Sequence, residues 1–432
     1  MMIVAAYFVS TAVFPKSASR FPLYVIIFLL DLYLLNAFSE EILKKQNFTK
    51  WTLSILYWLP LITIAILLLI GVSSPSFTKD STIYTYLSGL IFIVYAAKIF
   101  VAIIILLADL IRGVQYIWRF NDSKRKGKEE QNGINKISRS KFLKKLGLVT
   151  GGVVLGSMLV GRFKWVYDFK IRTKEVALES LPKTFDGLKI VQLSDLHLGS
   201  WTVKEPIYEV VERVNELKPD LIFFTGDLVN FSTREVFKYE HALKQLKARF
   251  GIYTILGNHD YGDYVNWANA EAKAKNMTQL FDFYQRIGWK LLRNENQIIK
   301  LRNAKLAILG VENWGDNPRF PQLGDVKQCL KGTENIKTKL LLSHDPSHFD
   351  KVISKKHPEI DITFSGHTHG FQFGIETPNF RWSPAQYLYK YWAGLYKVDG
   401  QYVYVNRGTG FLGYPGRIGI LPEISEIILK CV

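Results

Sequence analysis

Three long apolar windows in the first quarter of the chain limit what it can fold into. They cover residues 21–38, 51–72 and 84–108. An α-helix needs about 20 apolar residues to cross the hydrocarbon layer of a membrane. Buried helices of a soluble core are the alternative, but three such windows in succession are rare in soluble folds. The sequence therefore predicts a helical transmembrane region over residues 1–111.

The positive charge of the chain is concentrated beside these windows. The formal net charge is +17, and residues 112–145 carry eleven Lys or Arg against three Asp or Glu, which is eight of the seventeen charges. An excess of Lys and Arg marks the loops of a membrane protein that stay in the cytoplasm. Residues 112–145 are therefore predicted to be a basic cytoplasmic linker, and no nucleic-acid partner is expected.

Two charged residues interrupt the apolar windows, Asp31 in the first and Lys98 in the third. An unpaired charge near the middle of a bilayer costs about 2.5–3.5 kcal/mol even on lenient scales. We therefore expect the two side chains to pair and to link the first and third spans.

A shorter apolar run at residues 146–161 follows the basic linker and is rich in glycine. The stretch that leads into it is similar to a twin-arginine export signal, with Ser140 where the second arginine would stand. The run either crosses the membrane or lies along its surface. Crossing is the favoured interpretation, and it places the remainder of the chain on the extracytoplasmic face of a bacterial inner membrane.

From residue 162 onward the pattern changes to that of a soluble α/β domain, predicted over residues 162–432. Short apolar runs rich in β-branched and aromatic residues alternate with helix-period stretches such as 204–218. The predicted strands are 188–194, 221–225, 252–256, 305–311, 338–343, 361–365, 402–406 and 425–430. The two cysteines, Cys329 and Cys431, are far apart, which argues against a disulfide framework and a thiolate zinc site.

Five of these strands end and are followed at once by Asp, Asn or His. The groups are Asp195-Leu196-His197, Gly226-Asp227, Gly257-Asn258-His259-Asp260, His344-Asp345 and Gly366-His367-Thr368-His369. A single Asp or His at a strand end is usually an ordinary turn residue. Here, however, five of the eight histidines of the chain fall in these groups. Because ligands bind beyond the carboxyl ends of strands in open α/β sheets, we expect the five loops to converge.

The residue types in these loops suit a pair of divalent metal ions. Carboxylate, imidazole and amide oxygen donors without thiolate favour Mn, Fe or Zn. Seven candidate ligands would fill two sites if one carboxylate bridges: Asp195, His197, Asp227, Asn258, His344, His367 and His369. Two metal ions about 3.5–4 Å apart can activate a bridging hydroxide and neutralise a phosphoryl transition state. Glycines 226, 257 and 366 are expected to let the chain turn sharply after each strand.

The order of the motifs resembles that of the calcineurin-like metallophosphoesterases over about residues 186–430. The stretches LGNHDYGDY, LLSHDPSHFD, SGHTHGFQFG and NRGTGFLGYPGR are similar to those of the membrane-anchored bacterial subgroup related to YkuE and YaeI. This resemblance implies a four-layer α/β/β/α sandwich, preceded here by the transmembrane region. It also implies a metal-dependent phosphoric ester hydrolase.

The resemblance further implies a role for each site residue. Asp195, His197, Asp227 and His369 would bind the first metal, and Asp227, Asn258, His344 and His367 the second, with Asp227 bridging. His259 would stabilise the transition state or protonate the leaving oxygen. Asp260 would orient the ring of His259 and favour its charged form.

Two segments around the predicted site leave alternatives open. Residues 371–396 hold nine aromatics in 26 residues, which either pack within the fold or form a rim at the membrane interface for a lipid-linked substrate. Glycines 408, 410, 413 and 416, flanked by Arg407 and Arg417, form either a phosphate-contacting loop or a plain turn.

The sequence thus predicts a membrane-anchored phosphoesterase or pyrophosphatase that acts on a lipid-linked or envelope substrate. A molecule like UDP-2,3-diacylglucosamine is one candidate that the resemblance implies. The alternatives are a phosphodiesterase for a soluble nucleotide-type substrate, and a membrane sensor with an inactive esterase domain. The complete set of candidate ligands argues against the sensor.

Overall fold

The computed structural model describes residues 21–73, 82–123 and 137–432. The chain divides into two compact units, Met1–Leu159 and Val160–Val432. Residues 1–20 of the predicted transmembrane region and residues 124–136 of the predicted linker lie outside the described residues.

Four helices in the described residues are long and apolar enough to cross a membrane. They are α1 (Phe21–Leu43), α2 (Asn47–Ser73), α3 (Thr82–Ser123) and α4 (Ile137–Phe163). The first three contain the three apolar windows. Helix α3 runs on to Ser123, into the segment predicted as a linker, and α4 is longer than the run predicted at 146–161. Many large apolar side chains on these helices are exposed in the protein itself, which is the pattern of lipid-facing helices.

The predicted pairing of Asp31 with Lys98 is confirmed. Lys98 Nζ lies 2.7 Å from Asp31 Oδ1, and the Asp31 side chain is fully buried. Tyr95 donates a second hydrogen bond to Asp31 Oδ2 at 2.7 Å. Lys98 Nζ also donates to the carbonyl oxygen of Tyr57 at 3.2 Å. The ion pair therefore joins α1 to α3 and contacts α2 as well, which matches the structural role expected for it.

The second unit is built on two six-stranded sheets. The strands are β1 (Lys170–Leu178), β2 (Lys189–Leu193), β3 (Leu221–Phe224), β4 (Ile252–Thr254), β5 (Lys290–Leu291), β6 (Glu295–Leu301), β7 (Ala304–Gly310), β8 (Thr338–Leu342), β9 (Ile362–Ser365), β10 (Ile375–Glu376), β11 (Arg381–Trp382), β12 (Gly394–Val398), β13 (Gln401–Val405) and β14 (Glu423–Cys431). The first sheet has the order β1-β14-β2-β3-β4-β5, and the second has the order β12-β13-β9-β8-β7-β6. Strands β10 and β11 form a separate small hairpin.

Strands β2 to β5 of the first sheet run parallel to one another, as do β7, β8, β9 and β13 of the second. Because parallel strands end at the same edge of a sheet, the loops after β2, β3 and β4 emerge together. The loops after β8 and β9 emerge together in the same way.

The side chains of the central strands alternate between two cores. In β2, Ile190 faces the other sheet, whereas Val191 packs against helices. The core between the sheets includes Ile190, Leu221, Phe223, Leu306, Leu340 and Phe364. This alternation follows from the period of two of an extended chain.

Helices cover both outer faces of the sheets. Helix α5 (Glu205–Glu216) and helix α7 (Ala270–Arg286), with the short α6 (Glu240–Leu243) between them in sequence, pack on the first sheet. The short α8 (Val326–Leu330) and the helical turns from Pro346 to Lys356 pack on the second. The predicted four-layer α/β/β/α sandwich is confirmed, as are the apolar helices that precede it.

Candidate metal centre

The structure brings six of the seven predicted metal ligands together at the carboxyl ends of four strands. One group contains Asp195, His197 and His369, and a second contains Asp227, His344 and His367. Within each group the potential ligand atoms all lie within 4.8 Å of one another. These are the residues that follow β2, β3, β8 and β9. The two groups therefore draw on the ends of both sheets.

The two groups share a border at Asp227. Its Oδ2 lies 3.2 Å from His344 Nε2 and 3.5 Å from His197 Nε2. In the first group, His369 Nε2 lies 3.2 Å from Asp195 Oδ1. Asp227 therefore contacts members of both groups, which is the position that a bridging carboxylate requires.

The backbone of the site is held in a conformation that most residues avoid. Asp195, His197, Asp227, His367 and His369 all have φ between 45° and 70°. Non-glycine residues in this left-handed region are uncommon and persist where the surroundings hold them. Asp195 is held from both sides: its N–H donates to the Gly226 carbonyl, and its carboxylate accepts the His367 N–H at 3.0 Å. The strain fits a functional site.

The glycines of the motifs serve two different purposes. Gly226 has φ +94° and makes the sharp turn that was expected of it. A Cβ on Gly257 would lie 2.2 Å from Asp227 Oδ1, and a Cβ on Gly366 would lie 2.2 Å from Asp195 Oδ2. Those two glycines therefore leave room for the carboxylates, and the expectation that they are needed for turning is wrong.

The buried carboxylates and imidazoles of the site shift one another's pKa values. Burial alone would lower the pKa of His344, but the Asp227 carboxylate raises it to about 10. Burial raises the pKa of Asp227, but His344 and its neighbours outweigh this and hold the pKa well below its usual range. Burial lowers the pKa of His197 to about 3. The buried carboxylates therefore favour positive charge beside them, which divalent cations would supply.

Several buried side-chain atoms of the site carry lone pairs that metal ions bind and lack a hydrogen-bond partner. Within the described part of the chain, His197 Nε2, His369 Nε2 and Asn258 Oδ1 have no hydrogen-bond partner. Buried polar atoms are normally hydrogen-bonded, so such atoms need an explanation. Imidazole nitrogens and an amide oxygen beside two carboxylates suit divalent cations. The residues present therefore fit two divalent metal ions.

The hydrogen bonds of two histidines identify which ring nitrogen of each faces the other residues of the group. His344 Nδ1 lies 2.7 Å from the Thr225 carbonyl oxygen, so it carries the proton. His367 Nε2 lies 2.9 Å from the Tyr389 hydroxyl and 3.4 Å from Asp345 Oδ2, and a carboxylate can only accept. The remaining nitrogens, His344 Nε2 and His367 Nδ1, lie 3.2 Å apart and face one another. In metal-binding histidines the ring nitrogen that does not bind the metal typically donates to a neighbouring acceptor, as His344 Nδ1 and His367 Nε2 do here.

Sequence reasoning did not assign Asp345 and Tyr389 to the site. Asp345 directly follows His344, and its position beside a predicted ligand could have indicated that it belongs to the site. Tyr389 stands in the aromatic segment, 22 residues after His367, and no motif distinguishes it from the other aromatics there. Only the folded chain brings it to the ring of His367.

His259 lies beside the two groups and is not a member of either. Its backbone N–H donates to Asp227 Oδ1 at 2.8 Å, and its ring is edge-on to that of His197, with centroids 4.9 Å apart. Its Nδ1 lies 2.8 Å from the carbonyl oxygen of Asn230, so Nδ1 donates and Nε2 remains for other partners. A backbone carbonyl therefore orients this ring.

The expectation that Asp260 orients His259 is wrong. The two Asp260 oxygens accept hydrogen bonds from the backbone N–H groups of Asp227, Leu228, Val229 and Gly257, at 2.8 to 3.2 Å. The tight turn at residues 257–260 folds the Asp260 side chain back onto the loop after β3. Asp260 therefore fixes the backbone that carries Asp227.

The glycine-rich segment after β13 is a structural turn. Arg407 is buried and pairs with Glu423 and Glu376 at 2.5 and 2.6 Å. Arg417 is fully buried and donates to backbone carbonyl oxygens. A Cβ on Gly410 would lie 1.9 Å from the Leu196 carbonyl oxygen. Both guanidinium groups thus make buried contacts within the fold, which favours the plain turn.

A cavity of about 550 Å³ opens beside His367. Asp345 and Tyr389, which contact His367, form part of its wall, together with Ser347, Lys351 and Lys390. A volume of this size is typical of small-molecule sites. The cavity can hold the part of a substrate that extends away from the candidate metal centre.

The aromatic segment is divided between packing and exposure. Tyr391 and Trp392 are buried, as the packing interpretation expects. Six other large apolar side chains, which we call the 371–388 patch, are between 42 and 73 % exposed: Phe371, Phe373, Ile375, Phe380, Tyr387 and Leu388. The patch begins two residues after His369 and ends next to Tyr389.

Comparison with known protein families gives two matches along the chain. Residues 17–164 match the family described as "Probable Calcineurin-like phosphoesterase, transmembrane domain". Residues 188–371 match the family described as "Calcineurin-like phosphoesterase".

Three relatives are similar to the chain over most of its length or most of theirs. The uncharacterized metallophosphoesterase YkuE of Bacillus subtilis is 31 % identical over 306 residues, which is 69 % of this chain and 99 % of YkuE. An uncharacterized metallophosphoesterase of Helicobacter pylori is 29 % identical, over 94 % of this chain and 97 % of that one. A zebrafish (Danio rerio) transmembrane protein with a metallophosphoesterase domain is 32 % identical over 60 % of this chain, which spans only 57 % of that protein. Among solved structures, an NAD nucleotidase of Haemophilus influenzae has 15 % identity and a TM-score of 0.34, over 51 % of this chain and 45 % of that one.

Proposed function

The chain belongs to the calcineurin-like metallophosphoesterases and carries an N-terminal transmembrane domain, and from this premise we propose that it is a membrane-anchored hydrolase of phosphoester or pyrophosphate bonds. The observation that carries the proposal is the pair of buried residue groups that meet at Asp227. Their unpartnered lone pairs fit two divalent metal ions, of which the donor set favours Mn, Fe or Zn.

In this proposal each residue has one task. Asp195, His197 and His369 hold the first ion, Asn258, His344 and His367 hold the second, and Asp227 contacts both. Two bound ions would activate a water molecule and neutralise charge on the phosphoryl group. His259, with its Nδ1 committed to Asn230, directs Nε2 toward a phosphoryl or leaving oxygen. Asp260 holds the loop that carries Asp227.

The proposed substrate is lipid-linked or an envelope phosphoester. The support is the 371–388 patch, because many exposed apolar side chains in one segment are typical of sites that contact lipid or a partner. In sequence the patch lies between His369, a proposed metal ligand, and Tyr389, which contacts His367. A diacylated sugar nucleotide of the UDP-2,3-diacylglucosamine type fits this description. The second candidate is a soluble nucleotide-type diester, which the size of the cavity beside His367 supports.

Metal removal tests the proposed activity. The purified full-length protein in detergent is expected to hold two divalent ions per chain and to hydrolyse a generic aromatic phosphodiester. Chelation should abolish hydrolysis, and Mn²⁺ should restore it, because the ions supply the charge that the reaction needs. Metal content by elemental analysis and product release are the measurements.

Two other outcomes would contradict the proposal or its substrate class. Hydrolysis that persists after the metal is stripped would overturn the metal mechanism, and two bound metals without any hydrolysis would support the inactive sensor. The same preparation separates the substrate classes. A lipid-linked phosphoester should be cleaved faster than its deacylated headgroup, and equal rates would favour the soluble alternative.

The proposed organisation follows the four apolar helices. We assign residues 1–111 to the transmembrane region, 112–145 to a basic cytoplasmic linker, 146–161 to a fourth span and 162–432 to the hydrolase. Helix α4 has 27 residues and is about 40 Å long at 1.5 Å per residue, enough to cross a bilayer. A fourth crossing would place the hydrolase on the extracytoplasmic face of a bacterial inner membrane.

Protease accessibility tests this topology. We expect a C-terminal tag to be removed by protease in intact spheroplasts, because the hydrolase would face outward. A cytoplasmic marker protein should survive until lysis and serves as the control. Protection of the tag until lysis would reject the fourth crossing and would favour nucleotide-linked lipid precursors of the cytoplasm as substrates.

A further inference from the structure

Tyr264 contacts two residues of the proposed site through two different parts of its side chain. Its hydroxyl oxygen accepts a hydrogen bond from Asn258 Nδ2 at 2.8 Å. Its ring stacks on the imidazole of His259, with centroids 4.3 Å apart and ring planes 30° from parallel. Tyr264 thus touches a proposed metal ligand and the proposed proton donor, although it belongs to neither group.

The hydroxyl contact holds the Asn258 amide in one orientation. An amide side chain has an oxygen that can bind a cation and an NH₂ group that cannot. Tyr264 accepts a hydrogen bond from the NH₂ group, which leaves Asn258 Oδ1 buried and without a hydrogen-bond partner among the described residues. The side chain is almost inaccessible to water, so water does not compete for either end. The Tyr264 hydroxyl therefore favours the orientation that presents oxygen to the second metal.

The ring contact restricts the tilt of the His259 imidazole, which the hydrogen bond of Nδ1 does not. The bond from Nδ1 to the Asn230 carbonyl fixes one edge of the imidazole but permits the ring to tilt about that bond. Tyr264 covers one face of the ring, and His197 meets it edge-on. Stacking of aromatic rings contributes about 0.5–1.5 kcal/mol beyond area burial. Tyr264 therefore holds the plane in which Nε2 points.

We propose that Tyr264 is a positioning residue of the hydrolytic site, whose hydroxyl turns the amide oxygen of Asn258 toward the second metal and whose ring holds the plane of His259. The inference rests on the proposed function, because both roles presuppose a metal and a proton donor. The two roles use different atoms of one side chain, so they can be removed one at a time.

Two substitutions separate the roles in the full-length protein. Tyr264→Phe removes the hydroxyl and keeps the ring. The Mn²⁺ concentration that gives half-maximal binding at the second site should rise by ~10–100-fold, the usual cost of losing an outer-sphere partner, while kcat at saturating Mn²⁺ stays close to wild type. Tyr264→Leu removes both contacts. It should show the same loss of metal affinity and, in addition, a lower kcat at saturating Mn²⁺, by less than the ~10²–10⁴-fold expected for loss of the imidazole itself.

Tyr208 is a matched control. It is 42 % exposed, against 43 % for Tyr264, and its hydroxyl lies 3.4 Å from Nδ1 of the exposed His241. Tyr208→Phe and Tyr208→Leu therefore remove the same kinds of contact away from the site. Both should keep two metals per chain and wild-type turnover.

Three readouts decide the proposal: metal retained after dialysis, kcat at saturating Mn²⁺, and the melting temperature. Wild-type metal affinity and kcat in both Tyr264 variants would overturn it. So would a loss of melting temperature and kcat with unchanged metal affinity, which would show a purely structural role. The wild-type protein is assayed first, so that failure of the proposed function is distinguished from failure of the role proposed for Tyr264. A wild type without metal or hydrolysis contradicts the proposed function itself.

Discussion

Asp227→Asn is expected to lower the metal content from two ions per chain to one or none and to reduce turnover by well over ~100-fold. Loss of an outer-sphere partner alone costs about 10–100-fold, and Asp227 is in the innermost position. Its Oδ2 lies within 3.5 Å of His197 and His344, one from each group. Asparagine keeps the shape and the acceptor for the His259 N–H but removes the negative charge that both ions would share. Elemental analysis and steady-state kinetics on the same preparation measure the two effects.

Asp220→Asn provides the control, because Asp220 stands at the opposite end of the same strand. It directly precedes β3, and its Oδ2 accepts a hydrogen bond from the Lys189 N–H at 3.0 Å. This variant loses a partly buried carboxylate without touching the metal groups, so metal content and turnover should stay at wild-type levels. Two metal ions per chain and near wild-type turnover in Asp227→Asn would contradict the bridging role assigned to Asp227.

His259→Ala is expected to keep both metals and to lose most of its turnover. General acid catalysis by a positioned side chain typically contributes ~10²–10⁴-fold, and kcat should fall within that range. Metal content should be preserved because the contact of His259 with Asp227 is made by the backbone N–H, which alanine retains. The ring also lies outside both metal groups. The measurement is kcat at saturating Mn²⁺ together with metal per chain.

His241→Ala is the control for this substitution, since His241 is an exposed histidine beside Tyr208. It should leave turnover and metal content unchanged. If His259→Ala loses a metal, the residue is a ligand and the role assigned to it is wrong. Unchanged turnover would remove His259 from the mechanism altogether.

The sequence was most informative where polar residues follow apolar strands. Each of the eight predicted strands corresponds to a strand of the sandwich, with ends that differ by a few residues. The apolar run indicates the strand. The Asp or His that follows it indicates that these side chains lie at the edge of the sheet where the strand ends. This is why the convergence of residues as distant as Asp195 and His369 could be predicted without coordinates.

Strands with few buried side chains escaped prediction. In β1, the sequence KIRTKEVAL buries only Val176 and Leu178, so its charged first half has no apolar signal. It is a strand because its backbone pairs in register with β14 along its whole length. Strand β5 has two residues, too few for any periodicity. In both cases the neighbouring strand determines the conformation.

The contacts that support the site residues could not be predicted for a related reason. The partner of the His259 ring is the backbone carbonyl of Asn230, and every residue type carries such a carbonyl. Asp260, Tyr389 and Tyr264 reach their partners across loops whose shapes depend on the packed sheets. Residue type indicates which side chains can bind a metal, whereas the paths of the loops decide which groups hold them.

The division of the site between the two sheets has a mechanical consequence. Asp195, His197 and Asp227 follow strands of the first sheet, whereas His344, His367 and His369 follow strands of the second. Each proposed ion would therefore take ligands from both sheets and act as a cross-link between them. Binding of a ligand to the folded state alone stabilises that state in proportion to the logarithm of its concentration. The ions that make hydrolysis feasible would also hold the two sheets together at this edge of the sandwich. The stability of the folded domain would therefore depend on the concentration of available metal.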